Sequence, residues 1–240
     1  HARNDGIPKI PDAVKRRLLE LLGATVRFAW LDGTNGIYHY KDRYNSNTAP
    51  SPGLGEESLE YINLIRQDRT AGDWEKIAER VRRANFILLA GGHAMNHRRF
   101  LEGSPVWDAI LEVLAGGGVL AAGDGGAVVL GEEGWVHYSY LGVDGFGLVQ
   151  DSCIIPQSGR HPTHNRKGME DDDEEDWELE GLTLVEIELN TALVCHGGNL
   201  QVAGEGGVIL QPGWKAIERL LPKGTKFAWK NKKYRRKASN

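Results

Sequence analysis

Residues 86–131 read FILLAGGHAMNHRRFLEGSPVWDAILEVLAGGGVLAAGDGGAVVLG. Two short apolar runs lie inside this stretch, Phe86–Ala90 and Val119–Ala122, and each ends in glycine. An unbroken apolar run of that length is the pattern of a strand buried on both faces, as in a parallel sheet. Between them, Leu101, Val106, Trp107, Ile110, Leu111 and Leu114 recur at near-helical spacing, which predicts a helix over 100–114. Strand, helix and strand form one βαβ crossover. The second strand runs into Ala122-Gly123-Asp124-Gly125-Gly126, where small residues flank a single polar one. That is the form of a nucleophile elbow, a sharp strand-to-helix turn whose neighbours must be small. Its apex holds an aspartate in place of a serine or cysteine.

Working outward, Val14, Leu18, Leu19, Leu21 and Leu22 predict an amphipathic helix over 13–22, closed by Gly23. Strands are expected over 25–31, ending in Asp32-Gly33-Thr34, and over 58–64. Asp73 stands near the start of a helix over 73–83 whose apolar stripe is Trp74, Ile77, Ala78 and Val81. Beyond the elbow, strands or hairpins are expected over 135–140, 148–155, 182–189, 192–195, 200–203 and 208–210. Two stretches resist regular structure. Residues 35–55 are crowded with turn formers, and 158–181 set a basic, histidine-containing block beside the acidic run 170–176.

In order and spacing, FILLAGGH (86–93), VLAAGDGGA (119–127), DGFGLVQDS (144–152) and TALVCHGGNLQVAGEGG (191–207) resemble the S51 peptidases. These are the dipeptidase E and cyanophycinase relatives, within the class I glutamine amidotransferase-like fold. The resemblance covers about residues 24–210. It implies an α/β fold, a three-layer sandwich around a mostly parallel sheet, with a β-hairpin extension near the C-terminus. One such domain is expected over 1–222, and the lysine- and arginine-rich residues after it are read as a basic tail over 223–240.

The resemblance also marks where the chain departs. Asp124 stands at the family's serine position. The family histidine falls in CIIPQS (153–158), at Gln157 or Ser158. Gly91-Gly92-His93 replaces the family's GGN or GGD, and no residue is fixed as the third acid. A serine-type acyl-enzyme is therefore not expected. Residues 35–55 and 158–178 are expected to border the cleft, since ligands in such sheets bind at the carboxyl ends of the strands.

Each candidate carries two readings. Asp124 is most simply a helix cap, its carboxylate accepting backbone N–H bonds; the sharper reading is an active carboxylate. Gly91, Gly92, Gly123 and Gly125 are either tight turns or donors to an anionic ligand or oxyanion. His93 and His97 lie i, i+4, a spacing that binds metal when a third ligand is present, and a solvated helix start otherwise. His161, past the lost histidine, is a replacement base or an ordinary loop residue.

Composition narrows the partners. The chain has 240 residues and a formal net charge of −4, which does not favour nucleic acid. It has two cysteines, too few and too far apart for a zinc finger or disulfide framework, so no metal or cofactor is expected and a reducing cytoplasm is the default. No apolar run approaches the length of a membrane span. The expected function is ligand binding in the old active-site cleft by a protein that has lost the Ser–His pair. The ligand would be a small peptide-like or anionic molecule, with a protein partner or homodimer as the other occupant. The alternative is a peptidase or amidohydrolase working through Asp124.

Overall fold

A computed structural model describes residues 10–23, 25–33, 53–64, 70–136, 141–158, 181–196, 199–212 and 219–228. Along the chain the elements are α1 (Asp12–Leu22), β1 (Val26–Gly33), β2 (Glu56–Asn63), α2 (Ala71–Arg82), β3 (Phe86–Gly92), α3 (Ala94–Leu101), α4 (Pro105–Ala115), β4 (Val119–Ala122) and α5 (Gly125–Val128). They continue as β5 (Gly131–Val136), β6 (Leu141–Asp144), β7 (Val149–Ser158), β8 (Thr183–Glu188), β9 (Thr191–His196), β10 (Asn199–Gly204), β11 (Val208–Pro212), β12 (Arg219–Leu221) and β13 (Lys226–Ala228).

The first half is a parallel sheet in the order β2-β1-β3-β4. Both central strands alternate cleanly between two cores, because successive side chains of a strand point to opposite faces. Val26, Phe28 and Trp30 of β1 join Phe86 of β3 in a cluster with Leu18 of α1. Ala29 and Leu31, with Ile87 and Leu89, meet Ile77, Ala78 and Val81 of α2 and Val106, Ala109, Ile110 and Val113 of α4. One helix covers one face and two cover the other, so the arrangement is a three-layer α/β sandwich. Phe28 and Phe86 stack across adjacent strands with ring centroids 5.1 Å apart. The α2 helix begins with a capping box: Thr70 and Asp73 satisfy each other's backbone N–H groups.

The helix expected over 100–114 is two helices. The chain turns at Gly103, where φ is +62°, and Ser104 precedes Pro105. Proline disfavours a helical residue before it yet suits the first turn of a new helix. The Ser104 hydroxyl then accepts the Trp107 N–H at 3.2 Å and opens α4.

Six strands form a second, mixed sheet in the order β12-β11-β8-β7-β5-β6, with β5, β7 and β8 parallel. The short α5 lies between the two sheets: Val128 belongs to the helix-covered core of the parallel sheet, and Ala127 to a third core with Ile154, Val185, Val202 and Val208. A third sheet, β13-β10-β9, is an antiparallel hairpin with one added strand. That strand, Lys226–Ala228, lies where the sequence suggested a tail beginning at 223; ordered structure continues past that boundary because Leu200 pairs with Phe227. Among the described residues, no helix is long and apolar enough to cross a membrane.

Candidate functional site

The carboxyl ends of β1, β3 and β4 come together. They bring Asp32-Gly33, Gly92-His93 and Gly123-Asp124 to one edge of the parallel sheet. At the apex of the β4–α5 turn, Asp124 has φ 49° and ψ −130°, a region that side-chain-bearing residues rarely occupy. Asp124 is exposed, whereas Gly125 through Val129 behind it are buried. A Cβ added to Gly125 would stand 2.0 Å from the Gly92 carbonyl oxygen and 2.8 Å from the Ala94 nitrogen. Only glycine lets the α5 turn approach β3 so closely. The turn is tied down by Gly123 N–H to the Leu89 carbonyl at 3.2 Å and Gly126 N–H to the Gly123 carbonyl at 3.0 Å. The chain thus makes a sharp strand-to-helix turn at Asp124.

The preferred capping reading of Asp124 is not what the fold adopts. Asp124 precedes α5, but its side chain makes no capping hydrogen bond. The reason is conformational: a capping residue normally sits in the extended region, with its side chain folded back over the first turn, whereas positive φ at Asp124 turns the side chain away. The carboxylate is presented outward.

Two further groups lie at this edge: Asp32, read from the sequence only as part of a turn, and His97, read as half of an i, i+4 pair with His93. Asp32, 4% exposed, accepts a hydrogen bond from the Tyr61 hydroxyl of β2 at 2.5 Å. Asp32 is in phase with Val26, Phe28 and Trp30, so a polar residue at an inward position of a buried strand was the available signal. His97 is fully buried, not part of a solvated helix start. Its imidazole lies against the backbone of Gly33, where a Cβ would stand 2.3 Å from Cε1. The signal was the α3 stripe Ala94, His97, Leu101, which places His97 on the inward face. His93, in contrast, is exposed at the N-cap position of α3 and makes no side-chain capping bond. The two histidines therefore face different surroundings. Among the described residues no group of three His, Cys, Asp or Glu side chains could hold a metal ion.

The DGFGL segment braces α3 and α4 behind the elbow. Arg98 donates to the Gly145 carbonyl at 3.0 Å, and its guanidinium lies 4.8 Å from the Phe146 ring centroid. Phe146 in turn stacks on Trp107 at 3.8 Å. A Cβ on Gly145 would stand 2.0 Å from the Gly131 carbonyl oxygen, so this glycine too allows a close backbone approach.

Gln157 and Ser158 end β7, next to β8. Ile154 of the same strand packs with Ala127 of α5, which brings β7 beside the elbow helix. Cys153, on this strand, is a free thiol that burial, with Glu133 adding to it, pushes up to about 12, so it stays protonated at neutral pH and is a poor nucleophile. His161 lies outside the described residues, as do residues 35–52 and 159–178 of the segments expected to border the cleft.

No protein-family profile and no curated relative matches the chain. Among solved structures, it is similar to a peptidase from an acI-B1 Actinobacterium, with a TM-score of 0.66 and 20% identity over 93% of this chain and 94% of that one. A protein of Listeria monocytogenes EGD-e, proposed to be a peptidase E, aligns at a TM-score of 0.47 and 16% identity over 86% of this chain and 93% of that one. The chain shares the α/β fold of the actinobacterial peptidase over nearly its whole length.

Proposed function

We propose that the elbow binds a small peptide-like ligand through Asp124 and does not perform serine-type hydrolysis. One observation carries the reading: the carboxylate at the apex is exposed, uncapped and held on a strained backbone. Strain of this kind costs on the order of 1–3 kcal/mol and persists only where surrounding structure enforces it. Gly125 packed on Gly92 supplies that enforcement. An exposed carboxylate is an acceptor only, so its natural partner is a cation. A peptide N-terminal ammonium fits, with the glycine backbone of Gly91-Gly92 and Gly123-Gly125 meeting the peptide's own polar groups. The apex carries no serine hydroxyl, and the two positions matched to the family's histidine hold Gln157 and Ser158, so the Ser–His pair of that family is not formed from these positions. The peptidase fold of the actinobacterial structure is consistent with a peptide-sized cleft.

The same strain supports a second reading, an amidohydrolase in which Asp124 acts as base or nucleophile. Calorimetric titration with di- and tripeptides separates the two. Under the binding reading, free-amino peptides bind, N-acetylated ones bind at least tenfold more weakly, Asp124→Asn loses the difference, and no peptide is cleaved. Peptide cleavage abolished by Asp124→Asn establishes the enzyme reading instead. Equal affinity for free and acetylated peptides removes Asp124 from recognition.

A further inference from the structure

A pocket of about 400 Å³ lies between α1 and the small β13-β10-β9 sheet, with neither Asp124 nor its flanking glycines among its described lining residues. Its volume falls in the lower part of the range of roughly 300–1,000 Å³ typical of small-ligand sites. The strand register explains its lining. Asn199 pairs with His196 on one side and Ala228 on the other, and Gln201 with Val194 and Lys226. Directly paired residues share a face, so His196, Asn199, Gln201 and Lys226 form one polar surface. The opposite face packs Leu193, Val202 and Phe227 against the core, and Leu200 and Phe227 also border the pocket. Arg17 of α1 completes the wall.

Among the described residues that line this pocket, the titratable groups are Arg17, His196 and Lys226, with no carboxylate. That runs against the chain's net charge of −4. Glu20 engages only one end of Arg17, accepting from Nη1 at 2.8 Å. The Arg17 Nε is buried and has no hydrogen-bond partner among the described residues, a donor whose demand the protein leaves open. Asn199 and Gln201 add carboxamide N–H donors beside the cationic groups.

We propose that this pocket binds a small organic oxyanion, a carboxylate or a phosphate monoester. The charged end lies between Arg17 and Lys226, and the apolar body lies along Val194 and the exposed methyl of Ala228. Guanidinium and carboxamide donors suit both oxyanions, because each presents several acceptor oxygens. The site is separate from Asp124, and its occupancy does not depend on the reading of the elbow.

The test is calorimetric titration of the full chain with benzoate, phenyl phosphate and the neutral analogue benzyl alcohol. At least one anion binds saturably at one site, weakens as salt rises, and loses at least tenfold in affinity in Lys226→Glu and in Arg17→Gln. Benzyl alcohol binds at least tenfold more weakly than that anion. Asp124→Asn binds as the unaltered chain does. The tighter of the two anions names the ligand class. Lys226 is exposed, so its variant keeps the fold even if Arg17→Gln does not. Absence of saturable binding by both anions overturns the proposal, as does unchanged binding in Lys226→Glu or a loss of binding in Asp124→Asn.

Discussion

Among the described residues, the β8–β9 turn and the elbow each place an Asn or Asp at positive φ and pack a nearby glycine against a backbone carbonyl. At the β8–β9 turn the residue is Asn190, with φ 55°. At the elbow it is Asp124, with φ 49°. In the first, a Cβ on Gly204 would stand 2.2 Å from the Asn190 carbonyl oxygen; in the second, a Cβ on Gly125 would stand 2.0 Å from that of Gly92. The difference lies in the side chains. Asn190 donates to Glu205 at 2.9 Å, and the Glu205 N–H returns to the Asn190 carbonyl at 3.0 Å. Its strain is offset locally, by the bonds a tight hairpin makes. The Asp124 side chain makes no capping bond and points outward. Similar backbone strain thus serves chain reversal at one place and presentation of a charged group at the other.

The largest expected effect treats the two turns alike. Gly125→Ala and Gly204→Ala both drive a methyl into backbone that cannot swing aside. Each should lower stability by about 3 kcal/mol, the upper end of what overpacking costs, read as a shift of the urea midpoint. An alanine at 125 that leaves the midpoint unchanged would mean α5 is not held against β3, and the elbow would lose its physical basis.

Next comes Cys153, the thiol behind the elbow. Its folded pKa is pushed up to about 12 from 9.0, first by burial and then by Glu133. The folded state therefore keeps a proton that the unfolded chain releases above about pH 9. Stability from this group is complete below pH 9 and declines as pH rises toward 12, by about 1 kcal/mol between pH 9 and 10. Urea midpoints of the unaltered chain and of Cys153→Ala across that interval should converge. Native Cys153 should also resist iodoacetamide at pH 8. Rapid alkylation there would supply the elbow region with a nucleophile that the burial argues against.

A smaller effect separates the turns. Asp124→Gly removes strain and breaks no capping bond, so it should stabilise by roughly 1 kcal/mol while abolishing peptide binding. Asn190→Gly loses its bond to Glu205 as it gains freedom, and should be close to neutral. If both changes destabilise equally, the Asp124 carboxylate has a structural partner and the contrast fails.

The smallest change in stability tests the family resemblance. Asp124→Ser keeps a small polar residue in a turn built for one and should fold within about 1 kcal/mol of the unaltered chain. It should not react with a fluorophosphonate probe if, as proposed, the family's histidine position at Gln157 or Ser158 supplies no base. Adding histidine at Gln157 or Ser158 is the combination in which weak labelling is expected. Labelling of the unaltered chain at this cleft would overturn the non-hydrolytic reading.

Much of this was legible locally. The apolar runs 86–90 and 119–122 announced the two parallel strands, and their glycines announced the turns. Four small residues flanking Asp124 announced the sharp turn, since only small neighbours fit a chain reversal of that kind. The break between α3 and α4 was present as Gly103-Ser104-Pro105, but helical spacing on both sides masked it. The direction of the Asp124 side chain was not legible, because Asp is equally at home capping a helix and occupying positive φ. Asp32 was read only as part of a turn; its partner Tyr61 is 29 residues away, and nothing along the chain links them.

What the sequence determined by itself is set by period and steric demand: alternation in β1 and β3, the amphipathic stripes of α1, α2 and α4, the glycines that let backbones meet. These are properties of a few adjacent residues. What the tertiary structure decided depends on pairings across long separations. Among the described residues thirteen strands divide among three sheets, Lys226–Ala228 join β10, and His97 is buried against Gly33. The basic pocket exists only because α1, near one end of the chain, is packed beside β10 and β13, near the other. Contacts of that kind follow from which faces find each other when the apolar surface is buried, and that choice is made by the whole chain at once.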